Sequence, residues 1–398
     1  MKLLTVEDAR ARMLAGMGPL GEESVPLSLA RGRFLARPVT ASRDQPPFAA
    51  SAMDGWAVRA ADGGGPRRII GESAAGRGFP GTVGAGEAVR IFTGAAVPDG
   101  ADAVVIQEDA RREGDTVVIP GGVASHHIRP AGLDFRAGET LLTPGVRLDA
   151  WRLSLAAAAG VAAPTVFTLP RVAILATGEE VVEPGGAPGP FQIYNSGSTA
   201  LRSLCETWGA LAPVLPSVGD DEAATARAVA HAGGHLIVTL GGASVGDHDL
   251  VKPALARLGL QLIVESVAVR PGKPTWFGVL ADGRRVLGLP GNPASALVCA
   301  ELFLRPLLRA LQGAEPGPRL VMARTRAFLA ANGEREHWMR ARLSREDDGV
   351  LWASPLRDQD SSLVTIFAQA DALLRRAARA PVTAAGEAVE TLILDRLF

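Results

Sequence analysis

Between residues 170 and 318, continuous apolar runs alternate with helix-compatible segments, a pattern that few folds accept. RVAILATGEE (171–180) is followed by STALRSLCETWGA (198–210), APVLPSVGDD (212–221) and a helix over Glu222–His231. HLIVTLGGASVGDHD (235–249), a helix over Leu250–Leu258 and VLGLPGNP (286–293) then lead into a helix over Ala294–Leu311. Strands of unbroken Val, Ile and Leu have no polar side to offer solvent, so the alternation predicts βαβ units and a parallel sheet covered on both faces.

The flanking segments differ in kind. Thr5 followed by Asp8 resembles a capping box, and the apolar spacing after it predicts a first helix. Residues 54–120 hold short β-type runs divided by Gly and Pro, the signature of a small all-β module. A helix is expected after the N-cap Asp149, ending at Gly160, and beyond Pro318 helices stop and alternation returns as a compact β-barrel or sandwich. The first and second helical pieces flank the β module and are expected to pack as one discontinuous domain. The chain is thus multidomain α/β plus β.

Lys and Arg number 41 against 42 Asp and Glu, which argues against a nucleic-acid binder, since phosphate neutralisation needs a basic surplus. The uncharged run 153–170 is broken by Gly160 and Pro164, so it is read as no membrane span, and the N-terminus lacks the apolar core of a signal peptide. Cys205 and Cys299 are far apart and in apolar surroundings, which suits buried thiols in a reducing, cytoplasmic compartment. The six histidines show no metal-ligand spacing and are read as structural or surface residues.

In an open parallel sheet, ligands bind beyond the carboxyl ends of the strands. Here those ends carry Thr177-Gly178-Glu179-Glu180, Gly241-Gly242-Ala243-Ser244 running to Asp247-His248-Asp249, and Pro290-Gly291-Asn292-Pro293. Glycines let backbone N–H groups approach an anion closely, so the loops suit a phosphate-bearing ligand, although each alone is also an ordinary strand-to-helix turn. Neither GxxxxGK[ST] nor a GxGxxG after a strand is present, which excludes P-loop and dinucleotide chemistry. Carboxylates at the same ends, Glu179, Glu180, Asp220, Asp221, Asp247 and Asp249, would repel a bare phosphate unless a hard cation such as Mg²⁺ intervened; each reads equally as a solvated turn acid or a helix cap. RPGKP sets Arg270 and Lys273 on a constrained turn, either an oxyanion pocket or solvated charge. Asp54 and Thr93 sit in glycine-flanked turns of the β module and by themselves are unremarkable.

Seven motifs, in order and nearly spanning the chain, resemble the molybdopterin molybdenumtransferase family, the MoeA-like proteins of molybdenum cofactor synthesis: SAMDGWA, FTGAAVPDGADAVVIQE, RPAGLDF, LATGEE, LGGASVGDHD, RPGKP and LPGNP. The resemblance implies a discontinuous elongated dimerisation domain (1–44 and 137–169), an inserted β module (45–136), an α/β molybdopterin-binding domain (170–318) and a C-terminal β-barrel (319–398). It implies a transferase that takes adenylyl-molybdopterin and molybdate, uses Mg²⁺ and releases AMP, with a separate molybdopterin adenylyltransferase supplying its substrate. A non-catalytic molybdopterin-binding carrier or scaffold on the same fold is the alternative.

Carried over residue by residue, the resemblance implies catalytic roles for Asp54, Thr93, Asp134, Glu180, Asp220 and Asp249, with Glu180 and Asp249 holding the metal. Thr177, Gly178, Gly241, Gly242, Ser244, Pro290, Gly291, Asn292 and Pro293 would hold the substrate, and Arg270, Lys273, Arg340 and Ser361 the molybdate. In a homodimer, Asp54, Thr93 and Asp134 would complete the partner's site. The chain departs from the family pattern at Ala49-Ala50, Trp56, Leu133, Gly197, Ser266 and Arg270. Of these, Arg270 keeps the charge of the usual lysine and can grip an oxyanion with two donors.

Overall fold

The computed structural model describes residues 3–121, 127–242, 250–317 and 320–395. The chain divides into two compact units, one of residues 1–23, 32–36 and 166–398, the other of 24–31 and 37–165.

In the first unit, Val172–Ala176, Leu236–Leu240 and Arg285–Leu289 form a parallel core, and every residue of the first two strands is buried. This is the sheet expected from the apolar runs. Two strands extend it antiparallel in the order Trp276–Val279, then Gln261–Val264. The reversal comes from a tight turn, where Asp282 accepts from the Arg284 backbone N–H at 3.0 Å and Gly283 takes φ +86. Helices cover both faces. A long helical run from Pro293 to Leu311 contains one wider π turn over Ala300–Leu304, just before Pro306, whose ring could not fit an unbroken α-helix.

The first helix, Val6–Leu14, starts as its sequence predicts, with the Thr5 hydroxyl accepting from the Asp8 N–H at 3.0 Å. Its buried face, Val6, Ala9 and Met13, joins the apolar core of the α/β sheet. This helix therefore belongs to the α/β unit, and Ala150–Ala158, the second helix, belongs to the other unit.

The C-terminal part of the first unit is a closed barrel of five strands: Glu336–Arg345, Leu351–Pro355, Leu320–Thr325, Ala388–Ile393 and Ala372–Arg376, the last pairing back onto the first. A sixth, short strand, Val269–Arg270, comes from the α/β segment and pairs parallel with the barrel, Arg270 opposite His337. One short helix, Val364–Gln369, interrupts a region in which the sequence suggested strands alone. It leaves no residue buried, so it carries no apolar periodicity that the sequence could display.

The second unit is built on a six-stranded sheet in the order Ala103–Ile106, Gly55–Val58, Glu87–Ile91, Gly65–Ser73, Thr116–Ile119, Arg111–Glu113. Both faces are covered: Trp56, Val58 and Val105 enter one core, Ala57 and Val104 the other. That explains why these short strands read as apolar runs. The helix Ala150–Ala158 is capped by Asp149, as expected. Among the described residues no helix is long and apolar enough to cross a membrane.

Candidate active site

The carboxyl ends of the three parallel strands open into a pocket of about 710 Å³. Of the residues expected to hold substrate, Thr177, Gly241, Gly242, Pro290, Gly291, Asn292 and Pro293 line it, together with Glu180. Backbone shapes this pocket. Gly241 takes φ +87, and a Cβ there would lie 2.6 Å from the Thr177 carbonyl oxygen, so no side chain fits between the two strand ends. Gly178 does not line the pocket but takes φ +131, where a Cβ would lie 2.4 Å from the Glu180 carboxylate. Glu180 is further held through its carbonyl, which accepts from the Ile193 N–H at 2.7 Å.

Tyr194 and Asn195, which sequence reasoning missed, line the same pocket. Asn195 caps the helix Ser196–Thr207, accepting from the Ser198 N–H at 3.1 Å and donating to Glu183 at 2.8 Å, so the helix start and its partial positive charge border the cavity. The polar run Asn195-Ser196 ahead of an apolar helix was the signal available. Asp220 lines neither this pocket nor its neighbour; it stands two residues beyond Val218, whose carbonyl accepts from the Gly178 N–H at 3.0 Å. Asp221 is a helix cap, accepting from the Ala223 and Ala224 N–H groups, and these bonds hold its carboxyl below the usual range. Ser244 and Asp249 lie outside the described residues.

A second pocket of about 360 Å³ shares Pro274, Pro290 and Asn292 with the first. It joins Arg270 and Lys273 from the constrained loop to Ser361 of the C-terminal barrel region, without Arg340 in its lining, and adds Ser295, Arg335, Gln359 and Asp360. Asn292 bridges the two pockets, its side-chain amide donating to the Ser361 hydroxyl at 3.0 Å. Arg340 is wholly buried. Its Nη2 donates to the Asp360 carbonyl at 2.8 Å, and its Nε and Nη1 are buried with no hydrogen-bond partner among the described residues. Burial, with a smaller contribution from Arg270, pulls its pKa below the usual arginine value, against the pull of Asp358 and Asp360. Gln359 anchors the strand here, pairing its side-chain amide with both the N–H and C=O of Arg340.

The surroundings are strongly cationic. His337 is buried and depressed to about 4, first by burial and then by Arg270, Arg340, Arg335 and Arg376, so it stays neutral. A buried guanidinium whose donors go unmatched costs several kcal/mol to maintain, of the order of a lost charged hydrogen bond for each donor. An oxyanion supplies acceptors for such donors.

The second unit holds the remaining residues. Asp54 Oδ1 accepts from both the N–H and the hydroxyl of Thr93 at 2.8 Å, and these bonds, the backbone one first, keep its carboxyl ionised below the usual range. Asp134 lines a pocket of about 600 Å³ with Arg43, Gln45, Phe48, Gly94 and Arg129. The pairing of Ala50–Ser51 with Ile128–Arg129 draws the Asp54, Thr93 and Asp134 segments together within this unit.

Three family profiles match in order: the MoeA N-terminal region (domain I and II) over 4–160, a probable molybdopterin-binding domain over 173–310, and the MoeA C-terminal region (domain IV) over 322–394. A molybdopterin molybdenumtransferase of Nostoc sp. is 36% identical over 335 residues, covering 80% of this chain and 76% of its own. Molybdopterin molybdenumtransferase 2 of Mycobacterium tuberculosis is 35% identical over 364 residues, covering 87% and 88%. The crystal structure of a molybdopterin biosynthesis MoeA protein from Pyrococcus horikoshii superposes with a TM-score of 0.86 at 30% identity, covering 100% of both chains. Sequence and fold thus agree, and the chain belongs to the MoeA family, the molybdopterin molybdenumtransferases of molybdenum cofactor biosynthesis.

Proposed function

We propose that this chain transfers molybdenum from molybdate to adenylylated molybdopterin, with release of AMP. The observation that carries the reading is a pocket lined by Arg270, Lys273 and Ser361 that shares a wall with the glycine-lined one, with Arg340 fully buried outside its lining and joined to it through the Asp360 carbonyl. A phosphate-bearing substrate in the larger pocket and an oxyanion in the smaller one would meet across Asn292. In this reading Gly241, Gly242 and Gly291 admit the phosphates, Thr177 and Asn195 orient the ligand by hydrogen bonding, and the cations hold molybdate as its dianion.

Glu180 lines the phosphate pocket as an oxygen donor, its place kept clear by Gly178, which suits Mg²⁺ shared between a carboxylate and substrate phosphates. When bound, the cation would offset phosphate charge as the anhydride opens. Asp249, the second ligand implied by resemblance, lies outside the described residues. Water consumed at the phosphoanhydride yields AMP and a molybdopterin phosphate monoester, and as molybdenum bonds to the two dithiolene sulfurs one molybdate oxygen leaves as water with the two thiol protons, with no change of oxidation state. The chain's own residues keep both anions aligned meanwhile.

The active form in this reading is a homodimer in which Asp54, Thr93 and Asp134 of one protomer complete the site of its partner. Trp151 and Leu29 of the second unit, 85% and 68% exposed, are apolar surface of the kind a second copy covers. The decisive experiment measures AMP release from adenylyl-molybdopterin with Mg²⁺, with and without molybdate, and then activation of an apo-molybdoenzyme by the product. Molybdate-dependent release with activation establishes the transferase; tight binding without release establishes a carrier on the same fold.

A further inference from the structure

Behind the cationic loop lies a sulfur atom. Cys299 ends the helix Pro293–Cys299 and is completely buried. Its Sγ stands 3.0 Å from Thr275 Oγ1 and 3.9 and 3.8 Å from the carbonyl oxygens of Pro271 and Gly272. The loop rests on it directly: Gly272 takes φ +113, and a Cβ there would fall 2.1 Å from the sulfur. Any side chain at 272 would lift the loop.

Thr275 closes the same turn. Its N–H donates to the Gly272 carbonyl at 3.0 Å and its hydroxyl to the same oxygen at 2.8 Å. The hydroxyl's one proton thus has two acceptors within reach, the Gly272 carbonyl and the Cys299 sulfur, while the Cys299 S–H faces the Pro271 and Gly272 carbonyls. Burial pushes the thiol up to about 12, so it remains a neutral donor and packing atom with no thiolate chemistry.

Ser295, which lines the oxyanion pocket, precedes Cys299 by one helical turn. Residues four apart share a helix face, so one face carries a wall of the pocket at Ser295 and the support of the cation loop at Cys299. The span between Ser295 and the Arg270–Lys273 loop is therefore set by what the loop stands on.

Resting on the oxyanion reading above, we propose that Cys299 and Thr275 are positioning residues that gauge the width of this pocket and so select molybdate over smaller tetrahedral oxyanions such as sulfate. Neither residue touches the anion. Removing the sulfur lets the loop settle toward the helix, narrowing the pocket and favouring the ion with shorter bonds to oxygen.

The test uses the full-length protein and its Cys299→Ala, Cys299→Ser and Thr275→Val variants. Equilibrium binding of molybdate, competition by sulfate, and kcat and KM for molybdate are measured beside melting temperature. Cys299→Ala and Thr275→Val are expected to weaken molybdate binding about tenfold, the scale of losing a supporting contact behind a binding group. The preference over sulfate should narrow, kcat at saturating molybdate should change far less than KM, and Cys299→Ser should recover most of the loss. Wild-type binding with an unchanged molybdate-to-sulfate ratio in both variants overturns the gauge and leaves the pocket standing. Failure of the wild-type chain to bind molybdate overturns the pocket reading and this inference with it. A fall in kcat that tracks lost melting temperature, with selectivity intact, reduces Cys299 to a core residue and also overturns the proposal.

Discussion

Two adjoining pockets of one unit are built by opposite means. The larger draws Thr177, Gly241, Gly242 and Gly291 from the ends of three neighbouring parallel strands, so the sheet's own register sets its shape. The smaller collects side chains at 270–273, 292–295, 335 and 359–361, far apart in the chain, and sets a fully buried arginine close behind them. The first is a property of the backbone and tolerates side-chain change except where a Cβ would intrude. The second depends on long cationic side chains held in low-dielectric surroundings, where each missing partner is costly. Deleting a group should therefore be far more damaging in the second, and crowding more damaging in the first.

The largest expected effect is at Arg340. Arg340→Ala should raise the molybdate requirement by about a hundredfold or more, as loss of a preorganised charged donor does, and Arg340→Lys should not restore it, because a point charge cannot replace two fixed N–H vectors. Steady-state titration with molybdate reads this directly; an unaltered saturation curve would remove Arg340 from the anion site.

Next comes the carboxylate of the larger pocket. Glu180→Gln keeps the shape and loses the charge, and should slow AMP release by about ten- to a hundredfold while shifting the Mg²⁺ titration to higher concentration. Gly178→Ala asks whether crowding does the same, since its Cβ would press on that carboxylate and its φ disfavours any side chain. A loss of about tenfold at Gly178, smaller than at Glu180, keeps the comparison intact. A null result at Gly178 would show that Glu180 adjusts freely.

A smaller effect, on stability, lies outside both pockets at Glu301 in the π turn. Burial raises its carboxyl to about 7, against the lowering by Arg305, with which it pairs at 3.0 Å. The folded state therefore holds its proton more tightly than the unfolded one, and this contribution is fully present below about pH 4.5 and lost as pH rises through about 7. Melting temperature should fall by a few degrees between pH 5.5 and pH 8, and Glu301→Gln should flatten that slope. An equally steep slope in the variant would assign it to other groups.

The smallest change is expected at Thr93→Ala, which removes one of the two bonds to Asp54. The Asp54 carboxyl should titrate upward, followed by NMR, with little change in melting temperature because the pair is exposed. An unmoved titration would leave the backbone N–H, with the nearby Arg90, as the cause of the depression.

How much of this could be read beforehand follows the same division. Val172–Ala176 and Leu236–Leu240 announce buried parallel strands by composition, and the glycines after them announce where a ligand approaches, so the larger pocket was largely legible. The Thr5 and Asp149 caps were legible for the same local reason. Arg270 and Lys273 stood out as cations on a stiff turn, while their meeting with Arg340 and Ser361 came only from resemblance. Ser295, Arg335 and Gln359 escaped altogether, since contact across a barrel and a helix leaves no periodic trace in a single chain. The placement of Val6–Leu14 on the α/β core was likewise hidden, because an apolar stripe states that a face is covered without naming what covers it.

The short strand Val269–Arg270, which leaves the α/β segment to pair with the barrel, makes the two regions poor candidates for separate inheritance. A recombination event or an engineered swap that exchanged the barrel for an unrelated module would remove Arg340 and Ser361. It would also unmoor the Arg270 loop, since Glu336 donates its N–H to the Ala268 carbonyl at 2.9 Å. Transplanting either region alone would move half of the smaller pocket's lining, so the portable block runs from the parallel sheet through the last barrel strand.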